Sequence, residues 1–169
     1  MGASSSSSSS SGPQPPSQTA HLFLDIDGVL NSQETRLGVD VAGHLPADRL
    51  LDNLQSITGR IAPLKIVLSS TWRLDAGQTA AVEAALAERG LALDSPCTPD
   101  LSGRGDRVDE ILQSLSDRGL DPARDVWLAL DDMDMLKMNP KLDDGHFCRT
   151  DDAVGLTRQN VSSKSTSYY

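Results

Sequence analysis

Three short apolar runs in this chain end on oxygen-bearing side chains: "HLFLDID" on Asp25 and Asp27, "KIVLSS" on Ser69 and Ser70, and "DVWLALDD" on Asp131 and Asp132. Segments with helical spacing lie between them. "PADRLLDNLQSITG" carries Leu50, Leu51, Leu54 and Ile57 on one face, with Pro46 near its start and Gly59 behind it. "DAGQTAAVEAALAERG" offers Asp75 as N-cap and Gly90 as stop, and "RVDEILQSLSDRG" sets Val108, Ile111, Leu112 and Leu115 on one stripe closed by Gly119. "LAL" at 91–93 and "HFC" at 146–148 are shorter strand candidates. Strands that alternate with helices predict a Rossmann-like α/β domain, a parallel sheet of about five strands with helices on both faces. Ligands of such sheets bind beyond the carboxyl ends of the strands, where the polar ends collect.

The chain has 169 residues, one domain's worth. Its expected division is a Ser/Pro-rich segment at 1–19 without stable structure, a globular domain at 20–158 and a flexible polar tail at 159–169. The first segment contains eight consecutive serines and no charge. It lacks the apolar core of a secretory signal, and no arginine precedes Arg36, which argues against a transit peptide. "MGASSS" formally satisfies the N-myristoylation pattern, as any serine tract after Met-Gly-Ala would. No transmembrane span is expected, and the expected location is cytoplasmic or nuclear.

With 15 basic and 24 acidic residues the net charge is −9, and no Lys/Arg stripe is present, so a general DNA-binding surface is not expected. Cys97 and Cys148 are too few for a disulfide framework or a cysteine zinc site, and read as buried or half-buried thiols. Carboxylates gathered from separate strands without His or Cys are hard oxygen ligands, which suit Mg2+. An EF-hand loop starting at Asp25 is excluded, because its twelfth position would be Arg36. Asp134, Asp143 and Asp144 read as solvated loop acids, Trp72 as a packing residue, and Lys65 lies at the opposite end of its strand.

In order along the chain, "FLDIDGVL", "IVLSS", a cation before a helix and "VWLALDD" resemble the four motifs of the haloacid dehalogenase-like (HAD) phosphohydrolase superfamily. "VLSSTWR" and "TDDAVGLT" further resemble small members found in nucleic-acid repair proteins. The resemblance implies that Asp25 is the nucleophile, Asp27 the acid and base, and that Ser69 hydrogen-bonds the phosphoryl group. It further implies that Mg2+ is held by Asp25, the Asp27 carbonyl and Asp132, with Asp131 orienting them. The third-motif cation is Arg107 or Arg104, with Arg107 favoured because it opens a helix. Ser70, Arg73 and Arg104 are candidate substrate contacts. The implied activity is that of a phosphatase acting on a phosphorylated substrate, including a macromolecular one such as a phosphoprotein or a nucleic-acid end. The alternatives are a non-catalytic phosphate- or partner-binding module and a phosphotransferase.

Between the motifs there is no room for a full cap domain. "NSQETRLGVDVAGHLP" at 31–46 can form a short flap and "DSPCTPDLSGRGD" at 94–106 a loop.

Overall fold

A computed structural model describes residues 18–37, 46–61 and 63–162. The Ser/Pro-rich segment through residue 17, the middle of the expected flap at 38–45 and the tail from 163 lie outside the described residues.

Among the described residues the sheet has four parallel strands in the order β2-β1-β3-β4: β1 Ala20–Leu24, β2 Leu64–Leu68, β3 Trp127–Asp131 and β4 Phe147–Arg149. The chain runs from β1 to β2 on one side and then returns past β1 to β3 on the other. The strand order therefore reverses at β1, which opens a crevice at the carboxyl ends of β1 and β3. The expected fifth strand is corrected here: 91–93 contributes a single bridge, Leu93 to Ile66, on the outer side of β2. Asp94 N still donates to Ile66 O (2.6 Å), and the chain meets β2 again only at Thr98, whose N donates to Leu68 O (3.1 Å); Pro96, between them, has no N–H to offer.

Alternation along the strands sorts the core into two layers. Leu22, Leu24, Ile66 and Leu68 pack with Leu50, Leu51 and Leu54 of α2 (Asp48–Thr58) and with Val82 and Leu86 of α3 (Ala76–Ala87). Phe23, Val67 and Ala129 face the other way, onto Val108, Ile111 and Leu115 of α4 (Arg107–Asp117). Asp75 caps α3 by accepting from Gln78 N at 2.8 Å, as its sequence predicts. Asp106 caps α4 by accepting from Val108 N (2.9 Å) and Asp109 N (3.1 Å), and so fixes where Arg107 starts.

Among the described residues of the flap region lies the short helix α1 (Gln33–Arg36), and no helix or strand is formed within 94–106. A one-turn helix, α5 (Met135–Met138), follows β3, and α6 (Arg158–Ser162) carries ordered chain past the expected domain boundary at 158. The segment before α6 returns to the loop after β1. Thr150 Oγ1 donates to Gly28 O (2.8 Å), Leu156 N donates to Val29 O (2.8 Å), and Asn53 Nδ2 donates to Leu156 O (2.9 Å). Gly155 allows this approach: it has φ +79°, and a Cβ there would lie 2.8 Å from Leu50 Cδ1. Among the described residues no helix is long and apolar enough to cross a membrane.

Candidate active site

The alternation that builds the core also builds the site. Leu24 is in register with Leu68 and with Leu130, so one step further Asp25, Ser69 and Asp131 stand side by side. The ladder continues to that point, with Asp25 N donating to Leu130 O (3.0 Å) and Ser69 N to Leu24 O (2.8 Å). All three share the parity of Phe23, Val67 and Ala129, which places them on the α4 side of the sheet. Arg107, the first residue of α4, reaches them from there. Its Nη1 donates to Asp25 Oδ1 (3.2 Å) and Asp131 Oδ2 (3.1 Å).

After Asp25 the chain turns over itself, with the amides of Val29, Leu30 and Asn31 all donating to Ile26 O. Gly28 has φ +73°, and a Cβ on it would lie 2.4 Å from Asp132 Cγ. The glycine after the two aspartates thus serves more than the turn: it admits the acid that follows β3, Asp132. Oxygen atoms of Asp25, Asp131 and Asp132 all lie within 4.8 Å of one another. This set is all oxygen, with two members buried and Asp132 half-buried, which fits a hard divalent cation. Ser69 Oγ is buried beside them and makes no hydrogen bond among the described residues, an acceptor and donor left for a ligand.

A family model described as the HAD domain in Swiss Army Knife RNA repair proteins matches residues 21–161, nearly the whole of the described chain. The chain belongs to this family. Searches of curated proteins and of solved structures return no match.

Within this HAD domain the carboxylates crowd one another. Burial pushes the Asp131 carboxyl up to about 7, the neighbouring Asp25 charge adds to the effect, and Arg107 opposes it. Burial likewise raises Asp25, against Arg107 and a Ser70 hydrogen bond, and raises Asp132 together with the Asp25 charge. A cation would relieve this repulsion.

The stability consequence has a definite sign. An unfolded aspartate releases its proton near pH 3.8, whereas these three hold theirs to higher pH in the fold. From about pH 4 to 7 the folded state therefore binds more protons, and stability falls as pH rises, by about 1.4 kcal/mol per pH unit for each proton of difference. His21, whose pKa is lowered by burial and then by Arg118, acts in the opposite direction, and so do Asp100, Asp109, Asp125, Asp134 and Asp143, whose carboxyls are lowered. Those five act chiefly below about pH 5 and leave, among the described residues, His21 alone against the three above it. In excess chelator the domain should melt at a higher temperature at pH 5 than at pH 7.5, and Mg2+ should reduce or invert that order. A melting temperature that rises with pH in chelator would contradict the account.

Of the other sequence-predicted residues, Arg104 is exposed on the loop before α4, while Arg107 touches both buried aspartates. Asp27 stands apart from the three-carboxylate group. Its side chain is about half exposed and is held by Asn31 and Trp72, which leaves its main-chain carbonyl as the atom it could offer a cation. Ser70 is buried and accepts from Trp72 N (3.4 Å).

Arg73 requires a correction as a substrate contact, because its guanidinium is already engaged inside the fold. It donates to Thr98 O (2.9 Å), Ser70 O (2.8 Å) and Pro99 O (3.0 Å) and pairs with Glu110 Oε1 at 2.9 Å. Asp134 pairs with Lys137 and Arg149, and Asp143 with His146, in keeping with loop acids; Cys148 is buried, its thiol donating to Asn160 O (3.1 Å), and Cys97 is half-buried, with no disulfide between them.

Sequence reasoning missed three residues: Trp72 and Asn31, which hold Asp27, and Glu110. The last lies three residues after Arg107, where a helix brings side chains together, and its Oε2 is 3.6 Å from Arg107 Nε.

Proposed function

We infer that this HAD domain is a magnesium-dependent phosphatase that removes a phosphate monoester from a nucleic-acid end through an aspartyl phosphate on Asp25. What carries the reading is the single guanidinium of Arg107 bridging Asp25 and Asp131, with an unpartnered buried hydroxyl, Ser69, in the adjacent register position. Phosphoryl transfer needs an in-line nucleophile, charge neutralisation and a proton for the leaving oxygen, roles that fall to Asp25, to Arg107 with Ser69, and to Asp27.

The Asp25 carboxylate forms its bond to phosphorus while the bond to the leaving oxygen breaks, and the Asp27 proton passes to that oxygen. Water then attacks phosphorus, gives its proton to Asp27, and the Asp25–phosphorus bond breaks to release inorganic phosphate. Ser69 and Arg107 bind the equatorial oxygens, where charge accumulates. Bound Mg2+, held by Asp25, Asp132 and the Asp27 carbonyl, would supply electrostatic stabilisation of that charge, with Asp131 orienting the set. The exposed Arg104 is a candidate contact to a neighbouring backbone phosphate.

The nucleic-acid end is favoured by the family's description, RNA repair, and by the short connections around the site, which suit an extended substrate. A chain of net charge −9 would find such a substrate through local contacts rather than a general basic surface.

The test is hydrolysis of 4-nitrophenyl phosphate and of RNA oligomers bearing a 5′- or 3′-phosphate. Phosphate release is expected with Mg2+ and should disappear in excess EDTA. Release undiminished by EDTA would refute the metal requirement, and activity on the aryl ester with none on either RNA end would refute the substrate.

A further inference from the structure

The carboxylate of Asp27 is gripped on both sides by groups that only donate. Asn31 Nδ2 donates to Oδ1 at 3.0 Å, and the indole Nε1 of Trp72 donates to Oδ2 at 2.9 Å. Arg36 Nη1 stands further off, 4.0 Å from Oδ1. Both gripping residues are buried, Asn31 at 2% and Trp72 at 6% exposure, although the carboxylate they hold is about half exposed. Asn31 is locked by its backbone, which donates to Ile26 O and accepts from Gly28 N. Trp72 belongs to the short 3-10 turn after β2, Thr71–Leu74.

An indole N–H and an amide NH2 have no lone pair to accept with. Each Asp27 oxygen therefore has one side occupied by a donor, and any proton the carboxyl carries is confined to the remaining, outward lone pairs. We propose that Trp72 and Asn31 are positioning residues that fix the Asp27 rotamer and the lone pair through which it exchanges a proton with the leaving oxygen. The proposal rests on the acid and base role of Asp27 given above and adds the device that aims it.

The indole N–H is separable from the packing of the residue that carries it. The Trp72 backbone is anchored independently: its N–H donates to Ser70 Oγ, and its carbonyl accepts from Thr79 Oγ1 (3.1 Å) and Asp75 N (3.3 Å). Trp72→Phe thus removes one donor from Asp27 and keeps an aromatic ring in the core.

The experiment measures kcat and KM with Mg2+ for the wild type, Trp72→Phe, Asp27→Asn and the double variant. Two substrates are compared: 4-nitrophenyl phosphate, whose leaving group departs without a proton, and a simple alkyl phosphate, whose leaving group needs one. Trp72→Phe should lower kcat/KM, which reads the step in which the leaving group departs, about 10- to 100-fold on the alkyl ester and by no more than about threefold on the aryl ester; the later hydrolysis of the aspartyl phosphate is common to both esters and enters only kcat. In the Asp27→Asn background the same substitution should add no further loss, because there is no proton left to aim. Asn31→Ala should show the same asymmetry and provides the measurement if Trp72→Phe does not fold.

Equal losses of kcat/KM on both substrates, or losses that multiply in the double variant, would mean a packing role and overturn the proposal alone. An Asp27→Asn enzyme that loses kcat/KM equally on the aryl and alkyl esters would overturn the acid reading, and the aiming device with it.

Discussion

Asp25→Asn is expected to reduce turnover on the order of 10⁴-fold or more while the domain stays folded. The amide has nearly the volume of the carboxyl but no charge with which to attack phosphorus. Its neighbours keep their places, because Arg107 retains Asp131 and Glu110 as partners. The same substitution removes the charge that helps push the Asp131 carboxyl up, so in chelator the variant should melt no lower than the wild type. Loss of activity with preserved or raised stability is the signature of a group kept for chemistry. Turnover within about tenfold of wild type would exclude Asp25 as the nucleophile.

The second large effect lies behind the site. Glu110 is buried and serves three partners: its Oε1 pairs with Arg73 (2.9 Å) and accepts from Leu101 N (3.1 Å), and its Oε2 lies 3.6 Å from Arg107 Nε. The side chains of Arg73 and Arg107 are only 4% and 10% exposed. Glu110→Ala leaves both guanidinium groups in the interior without the acid between them, a change that typically costs about 3–5 kcal/mol. For a domain of this size that is a fall in melting temperature of roughly 10 °C. Activity should fall as well, since Arg107 loses the partner that orients it toward Asp25. Glu110→Gln keeps an acceptor for Leu101 N and should lie between the two. A shift below about 2 °C for the alanine variant would show that the arginines find other acceptors at little cost.

Much of this arrangement is legible in the chain before any coordinates. Strand ends are written locally, because an apolar run must stop where the sheet stops, and what stops each of the three strong runs is a carboxylate or hydroxyl. The stripes of α2 and α4 are equally local. Arg107 follows from the helix boundary, which Asp106 sets by capping.

What escapes is pairing between distant segments. Nothing near Arg73 announces that Glu110, on another helix, will claim it, so an arginine just past a strand edge reads as a ligand contact. Trp72 reads as packing, which is correct for its ring and blind to its one polar atom. The run at 91–93 is apolar like a buried strand, but whether a strand forms depends on how long a neighbour it finds, and Leu93 bridges to Ile66 alone among the described residues.

The brace from the end of the domain gives the fold a direction in time. Asp25 and Asp27 leave the ribosome well before Thr150, Gly155 and Leu156, which hold the loop behind them. Asp131 and Asp132 also come late. A nascent chain therefore displays its first acidic motif long before it can assemble the cluster that would bind a cation, and the site closes only when the domain folds as a unit. Chains that stop short of residue 147 would lack the fastening as well as β4, and would be substrates for quality control rather than weak enzymes.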